Sequence, residues 1–177
     1  VSPAEAGAYA VAVSNPYGSV TSAPAVVVVV VPAGIAQEPA DVVAVNGEAV
    51  SFRVSATGTE PLAYQWYWAG STVLAGATGA ELVLPAATPG QAGTYAVEVG
   101  NGYGRQRSRE ARLTVLSGPE IVAGPGDVVA TNGDAVSLSV SARGTEPLGY
   151  QWWFNGTHAL AAGTNATLAL GPVSPAE

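Results

Sequence analysis

Alternation of apolar and polar residues runs along most of this chain and predicts strands. Between Val50 and Ala56 every second residue is apolar, and Ser or Arg fills the positions between them. This period of two is typical of a strand with one buried and one wet face. Residues 63–68 show the same pattern, with Trp66 on the apolar side. Further strands are predicted at 42–45, 80–84, 94–100 and 105–116, so the chain is expected to be all-β.

The segment from Gln91 to Asn101 has an earlier copy from Glu5 to Asn15. In each copy a corner of small residues leads into a tyrosine, Tyr95 or Tyr9. Valine then alternates with small or polar residues, as a half-buried strand requires. The two segments are therefore expected to fold alike.

Matching residues recur 86 positions apart without a gap. Tyr9 matches Tyr95, and Trp66 matches Trp152, since 152 minus 66 is 86. The pentapeptides 1–5 and 173–177 are identical and lie 172 positions apart, twice that period. A fixed period of this kind predicts an array of one structural unit.

These features resemble the I-set-like immunoglobulin repeats of bacterial surface and secreted proteins. The residues that carry the resemblance are the tryptophans Trp66 and Trp152, the corner tyrosines Tyr9 and Tyr95, and Asn15 and Asn101 at the ends of the F strands. The resemblance implies tandem β-sandwiches in which the corner tyrosine bonds back to the backbone upstream. The two cysteine positions of the family fall at Val54 and Val97, so a contact between valines beside Trp66 is expected to replace the disulfide.

The period divides the chain into one complete and two partial immunoglobulin-like domains. Residues 32–116 are predicted to form the complete domain, 1–31 the F–G half of another, and 117–177 the A-to-E half of a third. A two-stranded hairpin alone is at best marginally stable. The halves are therefore expected to be completed head to tail by another 1–31 segment, either through strand donation between subunits or because the 177 residues are a window of a longer covalent array. We lean slightly to the array.

Composition excludes several kinds of covalent and ligand chemistry. The 177 residues contain no Cys, which excludes a disulfide or a thiolate metal site, and no Lys, which excludes a Lys–Asn crosslink. A net charge of -7 argues against nucleic-acid binding. The longest apolar run, Ala25 to Val31, is too short to insert in a membrane and is predicted to be a strand.

Candidate catalytic and metal-binding residues are few, and we predict no enzyme activity and no cofactor. The one histidine, His158, is assigned no role, and Glu60 and Glu146 are expected to lie one domain apart. Calcium near Glu38 and Asp41, or near Glu120 and Asp127, would need six to eight oxygen ligands, and we predict no metal site.

Two features depart from the repeat and indicate partners. Arg105, Arg107 and Arg109 stand where the earlier copy has Ser19, Thr21 and Ala23. They are interpreted either as charges that protect a sheet edge or as a contact with an acidic neighbouring subunit.

The other departure is a ladder of outward-facing valines, Val26, Val28 and Val30, which is an aggregation hazard unless another chain or domain covers it. The arginines and these valines together form the predicted assembly interface.

Two N-x-T sequons, at Asn155 and Asn165, are candidate glycosylation sites, although chance alone would also produce them.

The sequence as a whole favours a structural, self-associating extracellular or cell-surface protein, the repeat unit of a bacterial filament or stalk. Its expected partners are copies of itself, joined head to tail, with side-by-side contact as a second mode. The alternative is an adhesin or carbohydrate-binding accessory module that holds a glycan in loops such as 57–62 or 71–79.

Overall fold

A computed structural model describes residues 1–171, and the second copy of the pentapeptide, at 173–177, lies outside them. The described residues are all-β, with two short 3₁₀ helices at Pro3–Glu5 and Pro89–Gln91. They divide into two compact units, Val1–Thr114 and the residues from Val115 onward. The predicted all-β class is confirmed.

The first thirty residues of the first unit form two short antiparallel pairs. The strands are β1 (Gly7–Tyr9), β2 (Ala12–Asn15), β3 (Gly18–Thr21) and β4 (Ala25–Val27). β1 pairs with β4 and β2 pairs with β3, which makes a hairpin with an interruption. Every residue of these four strands is exposed, including the apolar ones.

The rest of the first unit is a two-layered sandwich. Its strands are β5 (Gly34–Gln37), β6 (Val42–Val45), β7 (Val50–Arg53), β8 (Ser55–Thr57), β9 (Ala63–Trp68), β10 (Thr72–Val73), β11 (Glu81–Leu84), β12 (Gly93–Asn101), β13 (Gly104–Arg107) and β14 (Ala111–Leu116). One sheet has the order β10-β9-β12-β14-β6, with β13 also paired to β12. The other layer consists of the pairs β11-β7 and β5-β8.

The core of this sandwich consists of aromatic and valine side chains from strands of both layers. Trp66 and Val97 are fully buried and are direct partners across β9 and β12. The ring of Phe52 stacks on Tyr95, with the two centroids 4.8 Å apart. Val54 is also buried. Apolar side chains therefore fill the two positions at which the resemblance implied a disulfide.

One glycine, at the start of β12, is required by its surroundings. Gly93 has a φ of +146°, and a Cβ there would stand 2.9 Å from Nε1 of Trp68. A side chain at this position would displace an indole ring that packs on the corner. Gly7 has the same backbone conformation in the earlier copy but has open space around it.

Two predicted strands of the complete domain are interrupted in the structure. Val54 separates β7 from β8, and its N–H donates to the carbonyl of Ala80. The strand predicted at 105–116 stops at Arg107, the end of β13, because Ser108 turns inward, where its hydroxyl accepts the N–H of Val97. Arg109 consequently lies in the connection between β13 and β14, which corrects the expectation that three arginines share one strand face.

The described part of the second unit, up to residue 171, contains six short strands. They are β15 (Glu120–Ala123), β16 (Val136–Ser139), β17 (Ser141–Arg143), β18 (Trp153–Phe154), β19 (His158–Ala159) and β20 (Thr167–Leu170). They pair as β15-β17, β16-β20 and β18-β19. Leu168 is buried, but the predicted core residue Trp152 is only half-buried. This unit therefore has a thinner core than the sandwich of the first.

Candidate interaction surfaces

The predicted tyrosine corner is present in both copies. The hydroxyl of Tyr95 donates to the carbonyl of Gln91 at 2.8 Å, and that of Tyr9 donates to the carbonyl of Glu5 at the same distance. Burial raises the pKa of Tyr95 above its usual value. Tyr9 makes the same bond while 54% exposed. The corner therefore forms locally, without a second sheet to cover it.

A side-chain clip that pattern analysis did not reveal lies at the end of β12. The amide nitrogen of Asn101 donates to the carbonyls of Val31 and Thr59, and its Oδ1 accepts the N–H of Ala33. These three bonds tie the F strand to the start of the domain and to the loop after β8. Oδ1 also accepts N–H groups of the following turn. The recurrence of Asn-x-Tyr-Gly at residues 15 and 101 was the signal in the sequence.

The first thirty residues expose the apolar face that their counterparts bury. Val11 is 60% exposed, whereas Val97, one period later, is fully buried. Tyr9 and Val13 are also exposed, whereas their counterparts Tyr95 and Val99 are buried. The hairpin thus carries the inward-facing side chains of an F strand without, in the described residues, a layer that covers them.

An open apolar groove lies in the second unit. Its volume is about 420 Å³, and none of the ten described residues that line it is charged. The lining residues include Ile121, Val140, Leu148, Tyr150 and Trp152. Val140 and Trp152 correspond to Val54 and Trp66 of the complete sandwich, where an F strand fills this place. The sequence predicted an A-to-E half that another 1–31 segment completes, but it did not predict which residues line the open face, because burial depends on the partner sheet.

The three predicted interface arginines find partners within their own unit. Arg105 pairs with Glu98 at 3.1 Å, and Arg109 pairs with Asp41 at 3.1 Å. Arg107 stacks over the ring of Tyr67 and donates to the carbonyl of Gly70. These contacts favour protection of the sheet edge. The contact with an acidic neighbouring subunit stays a prediction.

Two of the four carboxylates near the predicted domain junctions, Asp41 and Glu120, bind arginines or a backbone amide. Asp41 accepts the backbone N–H of Arg112 and the guanidinium of Arg109, and these bonds lower the pKa of its carboxyl. Glu120 pairs with Arg143 through both oxygens. Within residues 1–171, no group of three acidic or histidine side chains is placed to hold a metal ion.

The lowered pKa of Asp41 predicts an acid-sensitive contribution to stability. A carboxyl whose pKa is lower in the folded state stabilises the fold above its unfolded pKa, near 3.9, and this contribution disappears as pH falls through the folded value. We expect Asp41→Asn to lose less stability than the parent chain between pH 4 and 2. Urea unfolding at several pH values measures the free energy of unfolding. The same dependence on pH in the variant and the parent chain would contradict the prediction.

Both sequons lie on the surface of the second unit. Asn155 sits in the turn between β18 and β19 with a φ of +48°. The carbonyl of Asn165 accepts the indole N–H of Trp152, and its side chain is exposed. Glycan attachment at these two residues stays a prediction.

Comparisons with known proteins agree on the fold. Residues 33–115 match the family model of the immunoglobulin I-set domain. A crystal structure of a mutant complex of titin and obscurin-like 1 immunoglobulin domains is 30% identical, covering 51% of this chain and 99% of that chain, with a TM-score of 0.46.

Two longer structures match more of the chain. The structure of Dpr2 Ig1-Ig2 in complex with DIP-Theta Ig1-Ig3 is 17% identical, covering 98% of this chain and 66% of that chain, with a TM-score of 0.58. A three-immunoglobulin fragment of titin is 18% identical, covering 81% and 56%, with a TM-score of 0.50. At these identities the likeness concerns the fold alone.

The chain therefore has an immunoglobulin-like fold, and its most complete part is an I-set-type domain. Such domains are generally non-enzymatic modules and are commonly extracellular or on the cell surface. Among the described residues, no helix has the length and apolar character needed to cross a bilayer.

Proposed function

We propose that this chain is a structural, self-associating extracellular protein whose immunoglobulin-like domains join head to tail in a bacterial surface filament or stalk. In this proposal residues 32–116 are a complete domain, 1–31 are an F–G half and 117–177 are an A-to-E half. The observation that carries it is the exposure of Tyr9, Val11 and Val13, whose counterparts in the complete domain are buried.

The energetics of the hairpin support association. Each valine that becomes fully buried contributes roughly 1.5–3 kcal/mol, and a tyrosine adds further apolar area. A hairpin that leaves these side chains in water forgoes this contribution, whereas an apolar layer over them recovers it. Because the open groove lies in a different unit from the hairpin, two copies joined this way still offer one free hairpin and one free groove. Such a head-to-tail contact produces a fibre when its rotation does not close a ring.

The test is the size of the 177-residue chain as a function of concentration. Light scattering on a sizing column should show masses rising above 17.6 kDa with concentration, and negative-stain electron microscopy should show fibres of regular width. A chain that stays monomeric from micromolar to millimolar concentration would overturn the proposal.

Lateral contact between filaments involves the valine ladder. Val26 and Val28 are 72% and 76% exposed, and Val30 is 37% exposed. Their counterparts one period later are Arg112, Thr114 and Leu116, which are more polar as a set. Exposed apolar side chains grouped in this way are suited to contact another chain.

Replacing Val26, Val28 and Val30 together by Thr should keep the fold and weaken side-by-side association. Thr keeps the β-branched shape that suits a strand but reduces the apolar area. We expect thinner fibres by electron microscopy and an unchanged circular dichroism spectrum. Val43→Thr, on an exposed strand of the complete domain, is the matched control. Bundles as thick as those of the parent chain would refute the role of the ladder.

A binding function is the second candidate, and a cleft in the complete domain favours it. The cleft has a volume of about 330 Å³ and is lined by Tyr64, Glu98, Asn101 and Arg105 among others. An aromatic ring beside carboxylate, amide and guanidinium groups is suited to a polar ligand such as a sugar. The neighbouring loop at 57–62 belongs to the region predicted to bind glycans.

A glycan array with the labelled chain tests this second candidate. Saturable binding that Tyr64→Ala abolishes, without a change in the melting temperature, would favour an adhesin or carbohydrate-binding module. Fibre formation with no bound glycan would favour the structural role.

A further inference from the structure

The second unit lacks strand structure at two places, and both correspond to positions that pair with F or G strands in the complete sandwich. β9 spans six residues and pairs with β12, but the equivalent segment 149–154 is a strand only at Trp153–Phe154. β6 lies beside β14, and its equivalent 128–131 contains no strand. A segment without a neighbouring strand loses the ladder of hydrogen bonds that defines it.

The N-terminal hairpin has the complementary gaps. β12 is continuous over nine residues, whereas the equivalent segment 7–15 is interrupted at residues 10 and 11. β14 spans six residues, whereas β4 spans only the first three of its equivalent, 25–30. The hairpin nevertheless keeps the register of its counterpart, because Gly7 lies opposite Val27 as Gly93 lies opposite Leu113. In each partial unit, the residues that fail to form a strand are therefore those whose neighbouring strand belongs to the other partial unit.

We propose that residues 7–30 of a second copy of this chain occupy the groove of the second unit and complete its sandwich by strand addition. The inference rests on the proposed self-association and assigns its contact. The pairing of β9 with β12 fixes the register: Val97 lies opposite Trp66, so Val11 of the second copy lies opposite Trp152. By the same offset Tyr9 lies opposite Phe154 and Val13 opposite Tyr150. The G side of the hairpin then lies along residues 128–131.

The chemistry of the two surfaces fits this pairing. The sequence from residue 6 to residue 37 contains no charged side chain, and the described residues that line the groove are also uncharged. No ion has to be removed from water when the surfaces meet, which avoids the main cost of burying polar groups. Val11 would stand between Val140 and Trp152, as Val97 stands in the core that contains Val54 and Trp66. Backbone hydrogen bonds would supply affinity, as in other cases of strand addition.

Asn15 adds a specific polar contact to the same register. Asn101 donates to the carbonyls of Val31 and Thr59 in the complete domain. The equivalent acceptors in the second unit are the carbonyls of Ser117 and Thr145, and the N–H of Thr145 already bonds to Ser117 as that of Thr59 bonds to Val31. Position 119 is a proline where the complete domain has Ala33, so the third bond of the clip has no donor. Asn15 can therefore make two of the three hydrogen bonds that Asn101 makes.

Disulfide trapping tests the register directly, because the chain has no cysteine of its own. We would mix the full-length single variants Val11→Cys and Val140→Cys, one of them isotopically labelled, under mild oxidation. The expected product is a mixed disulfide of twice the chain mass, identified by mass spectrometry. The double variant Val54→Cys/Val97→Cys is the positive control. Its disulfide should form within one chain, so the product should keep the mass of a single chain. Ala12→Cys mixed with Val140→Cys is the register control.

The possible outcomes distinguish a failure of the contact between hairpin and groove from a failure of self-association. A mixed disulfide with Val11→Cys and at least tenfold less with Ala12→Cys supports the proposal. Equal or absent crosslinking in a chain that still self-associates on the sizing column overturns this contact and leaves the proposed function standing. A chain that is monomeric at every concentration overturns both. Asn15→Ala should weaken association about tenfold, and an unchanged concentration dependence would count against the assigned register.

Discussion

Replacing Trp66 by Ala is expected to destabilise the complete domain by about 3–5 kcal/mol. The indole is fully buried, lies 6.3 Å from the Phe52 ring between centroids, and donates to the carbonyl of Gly79 at 2.9 Å. Truncation removes this packing and leaves both a cavity and an unpaired carbonyl. A domain of this size is stable by only about 4–13 kcal/mol, so the variant is expected to lose a large part of its stability.

Urea unfolding at low protein concentration, followed by circular dichroism, measures the loss. Trp66→Phe keeps most of the buried area and should lie between the parent and the alanine variant, which preserves a readout if Trp66→Ala does not fold. Trp153→Ala is the matched control, because Trp153 is 57% exposed and its loss should change stability by less than about 0.5 kcal/mol. Equal effects of Trp66→Ala and Trp153→Ala would show that the core has been wrongly assigned.

The sequence predicted the complete domain better than the partial ones, for a physical reason. Alternation from Val50 to Ala56 and the Trp66 strand depend on local pattern, and the structure places them in the sandwich as expected. The burial of Trp152 could not be predicted in the same way. Its own segment matches that of Trp66, but burial also requires a facing F strand, and the described residues of the second unit contain none.

Interruptions of strands were also beyond the reach of the pattern. The sequence from 105 to 116 reads as one strand, yet Ser108 is buried and bonds to the backbone of Val97, which ends β13. A buried serine can replace a ladder bond by its side chain, and apolar alternation carries no sign of this competition. Because β13 ends there, Arg109 lies in the connection between β13 and β14. The corner tyrosines, whose hydroxyls bond only four residues upstream, were by contrast predictable from sequence.

Asn101 shows how one polar side chain can hold distant segments together when they are not joined by a disulfide. Its three bonds to Val31, Ala33 and Thr59 span separations of 70, 68 and 42 residues. Each hydrogen bond contributes about 0.5–1.5 kcal/mol net. Asn101→Ala should therefore cost about 2–4 kcal/mol and lower the melting temperature by roughly ten degrees or more.

Asn15→Ala is the matched comparison, because in the described chain the side chain of Asn15 accepts only the local N–H of Tyr17. At concentrations where the chain is monomeric, its effect on unfolding should stay below about 1 kcal/mol. The same residue type in the same Asn-x-Tyr-Gly turn would then have a large effect in one copy and a small effect in the other, since only Asn101 has tertiary acceptors within its own unit. Similar losses for both variants would mean that the turn, and not the clip to distant carbonyls, is what the asparagine stabilises.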